Sequence, residues 1–506
     1  MIKNEKNFPI RLSSFVLIFS LIYIFNTLHY ADGKLYSSLF DDAMISLKYS
    51  QSIALGNGPY WNIGDKVEGF TNPLWTYILA FFYKISGNNI NLVPFIVQIF
   101  CSILISLNCF IFSRKAILIK NILKPKENKK HIKNFLVYLI SLSPVMVYPN
   151  IYWSLLGMEN ALLTPIISIL FCIFFFDEFI GKKHNINSFN LSLSFLLIIF
   201  GQLTRPDFFL VTLSFLIGKF IIKSSFEYWN FIKLLTISVF GSLFSSAIIL
   251  IWRIHFYGEL LPNTYILKVK GVDFLKQIIS GLGFIMPMLY QYILLIMIAI
   301  FLIIKFKKSR SLLFPALIYF LFILSYQIRV GGDPWSFWRL FTGPFVVIIF
   351  SIGCSLLLES NIDNFSFTFN NKKLKIIPKI ISIKIFSFFM LSLFFCNYWF
   401  INNDFLYPLY INYQHKKPFS VYTVNANREN INTAIRLGKI LRKDSVIAVF
   451  WGGTIPYYNP QFYSVDLLGK SDKYIANLRD RGGISWGNMI TVPGHNKYDL
   501  KWSLET

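Results

Sequence analysis

Apolar runs of about 20 residues recur along this chain, each long enough to cross the ~30 Å hydrocarbon core of a bilayer. Inside lipid every backbone N–H and C=O must be satisfied within the protein, so such runs fold as helices. Composition agrees: of 506 residues, 55% are hydrophobic and 15% are charged, against roughly a quarter charged in soluble proteins. The first run, Pro9 to Tyr30, is too long and too aromatic for a signal-peptide core. No small-residue cleavage site follows it, so it reads as a retained helix. The fold class is a polytopic α-helical membrane protein.

The net charge of +24 does not point to nucleic acid. Its lysines and arginines fall in short patches between apolar runs: Lys124 to Lys130, Lys305 to Arg310, and Lys372 to Lys375. Such patches face the cytoplasm and anionic lipid. The five cysteines lie in apolar stretches with no metal-binding or disulfide spacing, and read as packing residues.

The positive-inside rule then orders the chain. With Met1 to Lys6 inside, Ile10 to His29 crosses outward and the loop 31–92 lies outside. Leu74 to Ile85 is short, and its Trp75, Tyr77 and Tyr83 suit an interface, so it reads as a helix on the membrane surface. Val93 to Ser113 returns. Alternation through Phe135–Tyr148, Ala161–Phe176, Phe189–Leu203, Phe208–Ile222, Leu234–Ile254, Ile278–Ile304, Leu312–Ser325, Leu340–Leu358 and Ile380–Phe400 gives about 11 spans, by length and charge. Every motif-like polar segment then falls outside, and every strongly basic patch inside. Residues 1–401 form the membrane domain.

From about Asn402 the composition becomes that of a soluble domain, 402–506. Asn425 to Lys443 has helical periodicity. Ser445 to Phe450 and Gln461 to Leu467 read as strands. Ser471 to Arg479 reads as a helix with a serine cap. This is a small extracytoplasmic α/β unit.

The outer loop opens on Asp41 and Asp42, adjacent acids at a membrane surface. Acids placed there are costly unless they find partners or do chemistry. A carboxylate can act as general base, or only open a helix, and Asp41 is placed to cap the one that follows. The other outer-face residues mix acids and bases: Glu68, Glu159, Arg205, Asp207, His255, Lys268, Arg329, Asp333, Arg339 and His495. Arginine and lysine can clamp a phosphate. Aromatics such as Trp61, Trp153 and Trp335 suit sugar faces or interfacial belts. Each of these signals also has a structural reading as a turn, an anchor or a solvated charge.

In combination the islands are more specific. Asp41-Asp42-Ala43-Met44-Ile45-Ser46, Gly56-Asn57-Gly58, Trp61-Asn62 and Glu68-Gly69-Phe70-Thr71 resemble the first outer loop of the GT-C membrane glycosyltransferases. The branch resembled is the terminal arabinofuranosyltransferase-like one of bacteria. The resemblance continues at Gly157-Met158-Glu159, Leu203-Thr204-Arg205-Pro206-Asp207, Tyr257 to Tyr265, and Gly331-Gly332-Asp333 with Arg339. It ends at Asp466-Leu467-Leu468-Gly469 and Pro493-Gly494-His495-Asn496-Lys497. Asp207 stands where glutamate is as readily expected, and the loop after Asp333 is an aromatic variant.

The resemblance implies a GT-C fold in a bacterial inner (plasma) membrane, with the active site and the C-terminal domain on the periplasmic side. It implies transfer of one sugar, a pentose such as arabinofuranose or a hexose, from a polyprenyl-phosphate donor. The acceptor would be an envelope glycan, lipid or protein, and the anomeric carbon would invert. On this reading Asp41 is the general base and Asp42 supports it or orients the acceptor. Arg205, Lys268, Arg329 and Arg339 are candidates for the donor phosphate. Glu68, Glu159, Asp333, His495 and Trp61 are candidates for sugar or acceptor contacts. The carboxylates are compatible with a divalent cation such as Mg or Mn, though no spacing demands one, and no other cofactor is indicated.

The competing reading is a transporter or flippase of lipid-linked sugars. Against it, few ionisable residues fall within the spans, and no Gly/Pro-broken helix pair recurs in two halves.

Overall fold

The computed structural model describes residues 6–123, 130–181, 186–222, 228–335, 337–359, 367–369, 372–374, 422–482 and 488–505. The helices α1 (Phe8–Thr27) and α4 (Val93–Ile122) bracket the first polar loop. That loop holds a hairpin, β1 (Leu28–Ala31) and β2 (Lys34–Ser37), then α2 (Asp41–Ala54) and α3 (Pro73–Ile85). Next come α5 (Lys130–Met146), α6 (Tyr148–Leu155), α7 (Asn160–Phe179), α8 (Ser188–Thr204), α9 (Phe209–Ile222) and α10 (Tyr228–Tyr257). A short α11 (Asn263–Val269) precedes α12 (Phe274–Lys305), α13 (Arg310–Val330) and α14 (Thr342–Glu359).

Seven of these helices are long and apolar enough to cross a membrane, or eight if the bent pair α5 and α6 is one span. The bend is 47°. The expected count of about 11 is higher because it includes α8, α9 and Ile380–Phe400. At 17 and 14 residues, α8 and α9 fall short of the ~20 that span a bilayer upright. Ile380–Phe400 and the patch Lys124–Lys129 lie outside the described residues, as do 402–421 of the expected soluble unit.

One apolar core runs through α4, α5, α7, α9, α13 and α14, built on phenylalanines such as Phe112, Phe171, Phe175, Phe215 and Phe350. Helix α14 is the most enclosed of the candidate spans. On α10 and α12 the sides away from this core expose Phe240, Leu243, Ile251, Met297 and Phe301. Exposed apolar surface of that extent is what lipid would cover. Cys101, Cys109, Cys172 and Cys354 are buried and unpaired, as packing residues. Helix α3 forms where expected, but Trp75 and Tyr83 face the interior and Tyr77 is the exposed ring of the three. The indole of Trp75 donates to the Gly157 carbonyl (3.1 Å), which turns it inward.

After a small hairpin, β3 (Phe367–Phe369) with β4 (Lys372–Leu374), the chain enters its C-terminal unit. There α15 (Tyr422–Ile440) leads to β5 (Val446–Val449), α16 (Thr454–Tyr458), β6 (Tyr463–Asp466), α17 (Lys473–Asn477) and α18 (Leu500–Glu505). Strands β5 and β6 pair in parallel. The helix expected after Ser471 is capped by Asp472, whose side chain accepts from Ile475 N (2.9 Å).

This unit is docked on the first loop by backbone-directed contacts. Asn62 pairs with Ser464 like a strand residue, donating to its O (2.9 Å) and accepting from its N (3.1 Å). Trp61 donates to Gly452 O (2.9 Å), Tyr457 to Ile90 O (3.0 Å), and Asn427 to Leu39 O.

Candidate active site

Helix α2 starts at Asp41 with no side-chain cap; its residue before is Phe40. Asp41 is therefore not a cap. Two acids in the first turn suit the positive end of the helix. Successive helical residues point about 100° apart, so Asp41 and Asp42 meet different neighbours.

Asp41 is buried and its carboxylate is used up by the C-terminal unit. It accepts from Gly453 N (3.1 Å), Thr454 N (2.8 Å) and the Thr454 hydroxyl (2.9 Å). Gly453 has to be glycine: a Cβ there would collide with the Asp41 carbonyl oxygen. Burial pushes the Asp41 carboxyl above its usual range, and the Thr454 amide only partly offsets it.

Asp42 points into a cluster of cations. Lys470 Nζ lies 2.6 Å from one oxygen; Arg339 Nη1 (3.2 Å) and the Trp335 indole (3.1 Å) lie on the other. Burial alone would raise this carboxyl, but Lys470 and Arg339 outweigh it and hold it well below the usual carboxylate range. Lys470 is raised in return: burial works against its charge, and Asp42 more than restores it.

Arg339 also donates through Nε to Asp333 (2.7 Å), and its guanidinium lies 5.7 Å from the Trp153 ring centroid. The segment carrying these groups is strained. Phe337 and Trp338, immediately before Arg339, both have positive φ (63° and 44°). Bulky residues held there cost on the order of 1–3 kcal/mol each, a strain that persists where surroundings enforce it.

Lys470 reaches Asp42 because the turn before it is fixed. Asp466 at the end of β6 accepts from Leu468 N (3.0 Å) and Ser471 N (2.7 Å). Gly469 sits at φ +76°, and a Cβ there would press on Ile475 (2.6 Å). Asn263 of α11 donates to the carbonyls of Gly469 and Lys470 (both 2.9 Å). Lys497 ties the same region together, donating to Ala476 O (2.7 Å), Lys270 O (2.5 Å) and Ile266 O (3.3 Å).

Lys268, on α11, shares the field of Asp333, Arg339, Asp42 and Lys470. Its ammonium has no hydrogen-bond or ion-pair partner among the described residues. Burial lowers its pKa, so an anion brought beside it would be favoured. His495 packs its ring edge against Trp335 (centroids 5.5 Å apart), and burial and Lys470 push it down to about 3. It is neutral at physiological pH.

A second network adjoins the first. Arg205 Nη1 contacts Glu159 (2.7 Å), while Nε and Nη2 grip both oxygens of Asp207 (2.9 Å each). Burial would raise Asp207, but Arg205 outweighs it and lowers it. Glu159 also accepts from Asn72 (3.0 Å). No three His, Cys, Asp or Glu side chains among the described residues converge as a metal-ligand set.

The structure thus gathers Asp42, Lys268, Asp333, Arg339 and His495, with Arg205 and Glu159 alongside. Others it disperses. Glu68 is sealed in a bidentate pair with Arg253 (2.5 and 3.1 Å) and does not face the cluster. Trp61 is buried, its indole spent on Gly452, so it offers no sugar platform. Arg329 sits on the exposed side of α13, bonded to Gln277 (2.8 Å) over the Phe274 ring. Lys470 and Arg253 were not singled out from sequence. Lys470 directly follows the Asp466–Gly469 motif, which was the available signal; Arg253 closes an apolar run.

No protein-family model matches the chain, and no curated protein does. Among solved structures, ArnT from Cupriavidus metallidurans bound to undecaprenyl phosphate matches with a TM-score of 0.54 at 10% identity. The match covers 91% of this chain and 86% of that one. The apo state of the same protein gives 0.46 at 10% identity, covering 90% and 86%. The oligosaccharyltransferase AglB from Archaeoglobus fulgidus, with an inhibitory peptide and a dolichol-phosphate, gives 0.43 at 10% identity, covering 90% and 64%. The first likeness, nearly full length in both chains, shows that this chain shares the fold of ArnT.

Proposed function

We propose that this chain is a membrane glycosyltransferase that moves one sugar from a polyprenyl-phosphate donor to an acceptor hydroxyl at the membrane's outer face. The observation that carries it is the pairing of Asp42 with Lys470 and Arg339 beside the Lys268 ammonium, which has no partner among the described residues. Such a site offers a proton acceptor and several cations within one cluster. That ArnT, of the same fold, binds undecaprenyl phosphate supports a lipid-phosphate ligand here.

In the reaction proposed, the acceptor oxygen attacks the anomeric carbon while the bond from that carbon to the phosphate oxygen breaks. The hydroxyl proton goes to Asp42. The donor phosphate, a monoanion as a diester, leaves as a lipid phosphate with one more negative charge. Lys268, Lys470 and Arg339 stabilise that added charge, an effect felt most where charge develops. In-line displacement of this kind inverts the anomeric carbon, as in base-assisted inverting hydrolysis.

Asp42 takes the base role assigned earlier to Asp41, because the Asp41 carboxylate already accepts three hydrogen bonds from Gly453 and Thr454. In the resting site Asp42 is a weak base. A donor phosphate competes for Lys470 and Arg339, and as their hold weakens its basicity rises. The base therefore strengthens when the donor is present. Arg205, gripped by Glu159 and Asp207, flanks the cluster and keeps two N–H groups beyond those three bonds.

The test incubates purified protein with polyprenyl-phosphate pentoses and hexoses plus envelope glycan extract, read by mass spectrometry, beside Asp42→Asn. Loss of one donor, a matching gain on an acceptor, and silence in the variant are expected. Intact donors throughout, with lipid movement across vesicles, would replace the enzyme with a flippase.

A further inference from the structure

Behind the Lys470 turn lies a trough of about 500 Å³, open to solvent, between the first outer loop and the C-terminal unit. Its size falls within the ~300–1,000 Å³ of ligand pockets. Three ring-bearing side chains present exposed surface to it: Tyr463 of β6, Tyr474 of α17 and Trp502 of α18, each about 40% exposed (41%, 43% and 38%). Tyr474 and Trp502 stack with centroids 4.3 Å apart, 29° between planes. Interior packing would have hidden rings of this size.

The charged groups of the lining are the carboxylates of Asp65, Asp466 and Asp472 and the ammonium groups of Lys66 and Lys473, the latter paired with Glu259 (3.0 Å). Asp65 accepts from the Tyr463 hydroxyl and from Asn62 Nδ2 through Oδ2 (3.0 Å each) and leaves Oδ1 without a partner among the described residues. Asp472 caps α17 through Oδ1 and takes the Trp502 indole on Oδ2 (3.3 Å). The Asp65 Oδ1 lone pairs are unused among the described residues, and each Asp472 oxygen keeps a spare lone pair after one bond. Ring faces for C–H surfaces with acceptors for hydroxyls at their rims suit a saccharide. Three carboxylates stand in the lining against two ammonium groups, one of them already paired with Glu259, so a neutral ligand is favoured over a phosphate.

The trough is tied to the candidate active site by one turn. Ser471 lines the trough, while Lys470, its chain neighbour, turns the other way to Asp42 (2.6 Å). A chain lying in the trough is separated from Asp42 by the thickness of a single loop.

We infer that the trough is a subsite for a neutral saccharide chain, the inner residues of an acceptor glycan whose end is presented to Asp42. The inference deepens the transferase reading and rests on it for the word acceptor; saccharide binding itself does not. Fluorescence and calorimetric titration of the full-length protein with neutral linear hexasaccharides of arabinose, mannose and glucose reads the binding directly. Trp502→Ala is expected to weaken the best of these by about tenfold, the scale of one aromatic contact. Asp65→Asn, which keeps its shape and the Tyr463 bond, is expected to weaken it severalfold and covers the case in which Trp502→Ala does not fold. In transfer assays the advantage of a hexasaccharide over a monosaccharide acceptor, read as KM, shrinks in both variants. Wild-type binding that neither variant alters, or no binding to any hexasaccharide, overturns the subsite. Binding lost in the variants, in a protein that transfers nothing from any donor, upholds the trough and overturns the transferase.

Discussion

Asp41 and Asp42 are neighbours in sequence and belong to different regions of the molecule. On the Asp41 side, two backbone amides and a hydroxyl from 453–454 close around a buried carboxylate. On the Asp42 side, charged side chains from three distant parts of the chain meet around a carboxylate that keeps some exposure. The first region is satisfied by groups that cannot leave. The second is satisfied by flexible cations that a phosphate can draw away. That difference separates a docking joint from a reactive site, and it is invisible in the dipeptide itself.

The comparison breaks most sharply on transfer. Asp42→Asn removes the proton acceptor and is expected to cost about 10²–10⁴ in rate, the range for a positioned base. Asp41→Asn should cost far less. Donor turnover measured side by side settles it; equal losses, or a larger one for Asp41, would return the base role to Asp41.

How far the sequence went follows the same line. The apolar runs and the polar islands were legible because each is a local property of a run. Lys268, Asp333 and Arg339 could be grouped because each stands in a polar island. Pairings were not legible. Glu68 stands in a polar island, but its partner Arg253 ends a run that reads as a span, so the closed pair looked like an open group. Lys470 lay one residue beyond its motif, and only the fixed turn from Asp466 to Ser471 shows where it points.

The Glu68–Arg253 pair supplies the next contrast, since it resembles the joint rather than the site. Arg253→Met would strand a buried carboxylate, and removal of one partner of such a pair costs about 3–5 kcal/mol. Denaturation in detergent should show that loss. Little change would mean that water reaches Glu68. A smaller effect is expected at the joint itself. Asp41→Ala leaves the Gly453 and Thr454 donors unmet, about 1–3 kcal/mol for a buried unsatisfied group. Asp41→Asn keeps one acceptor and removes a buried charge, so it should cost less. Proteolysis of the C-terminal unit would rank the two.

The smallest effects are on pH dependence, and there the two aspartates have opposite signs. Asp42 is held below its usual range, so its ionised form stabilises the fold above that range and the contribution fades as pH falls through the folded value. Asp41 is raised: its contribution is full below the usual carboxylate range and is lost as pH rises through the folded value. On acidification the wild type should therefore gain on Asp41→Asn and, at lower pH, lose its margin over Asp42→Asn. His495 adds a third slope. Its pKa falls from 6.5 to about 3 in the fold, so across that window the unfolded chain takes up a proton that the folded one refuses. Stability climbs with pH through the window and is full above it. His495→Gln should flatten that part of a melting-temperature curve measured from acid to neutral pH. A slope that survives the substitution would mean the histidine is wetter than its packing against Trp335 implies, and that the cluster opens on that side.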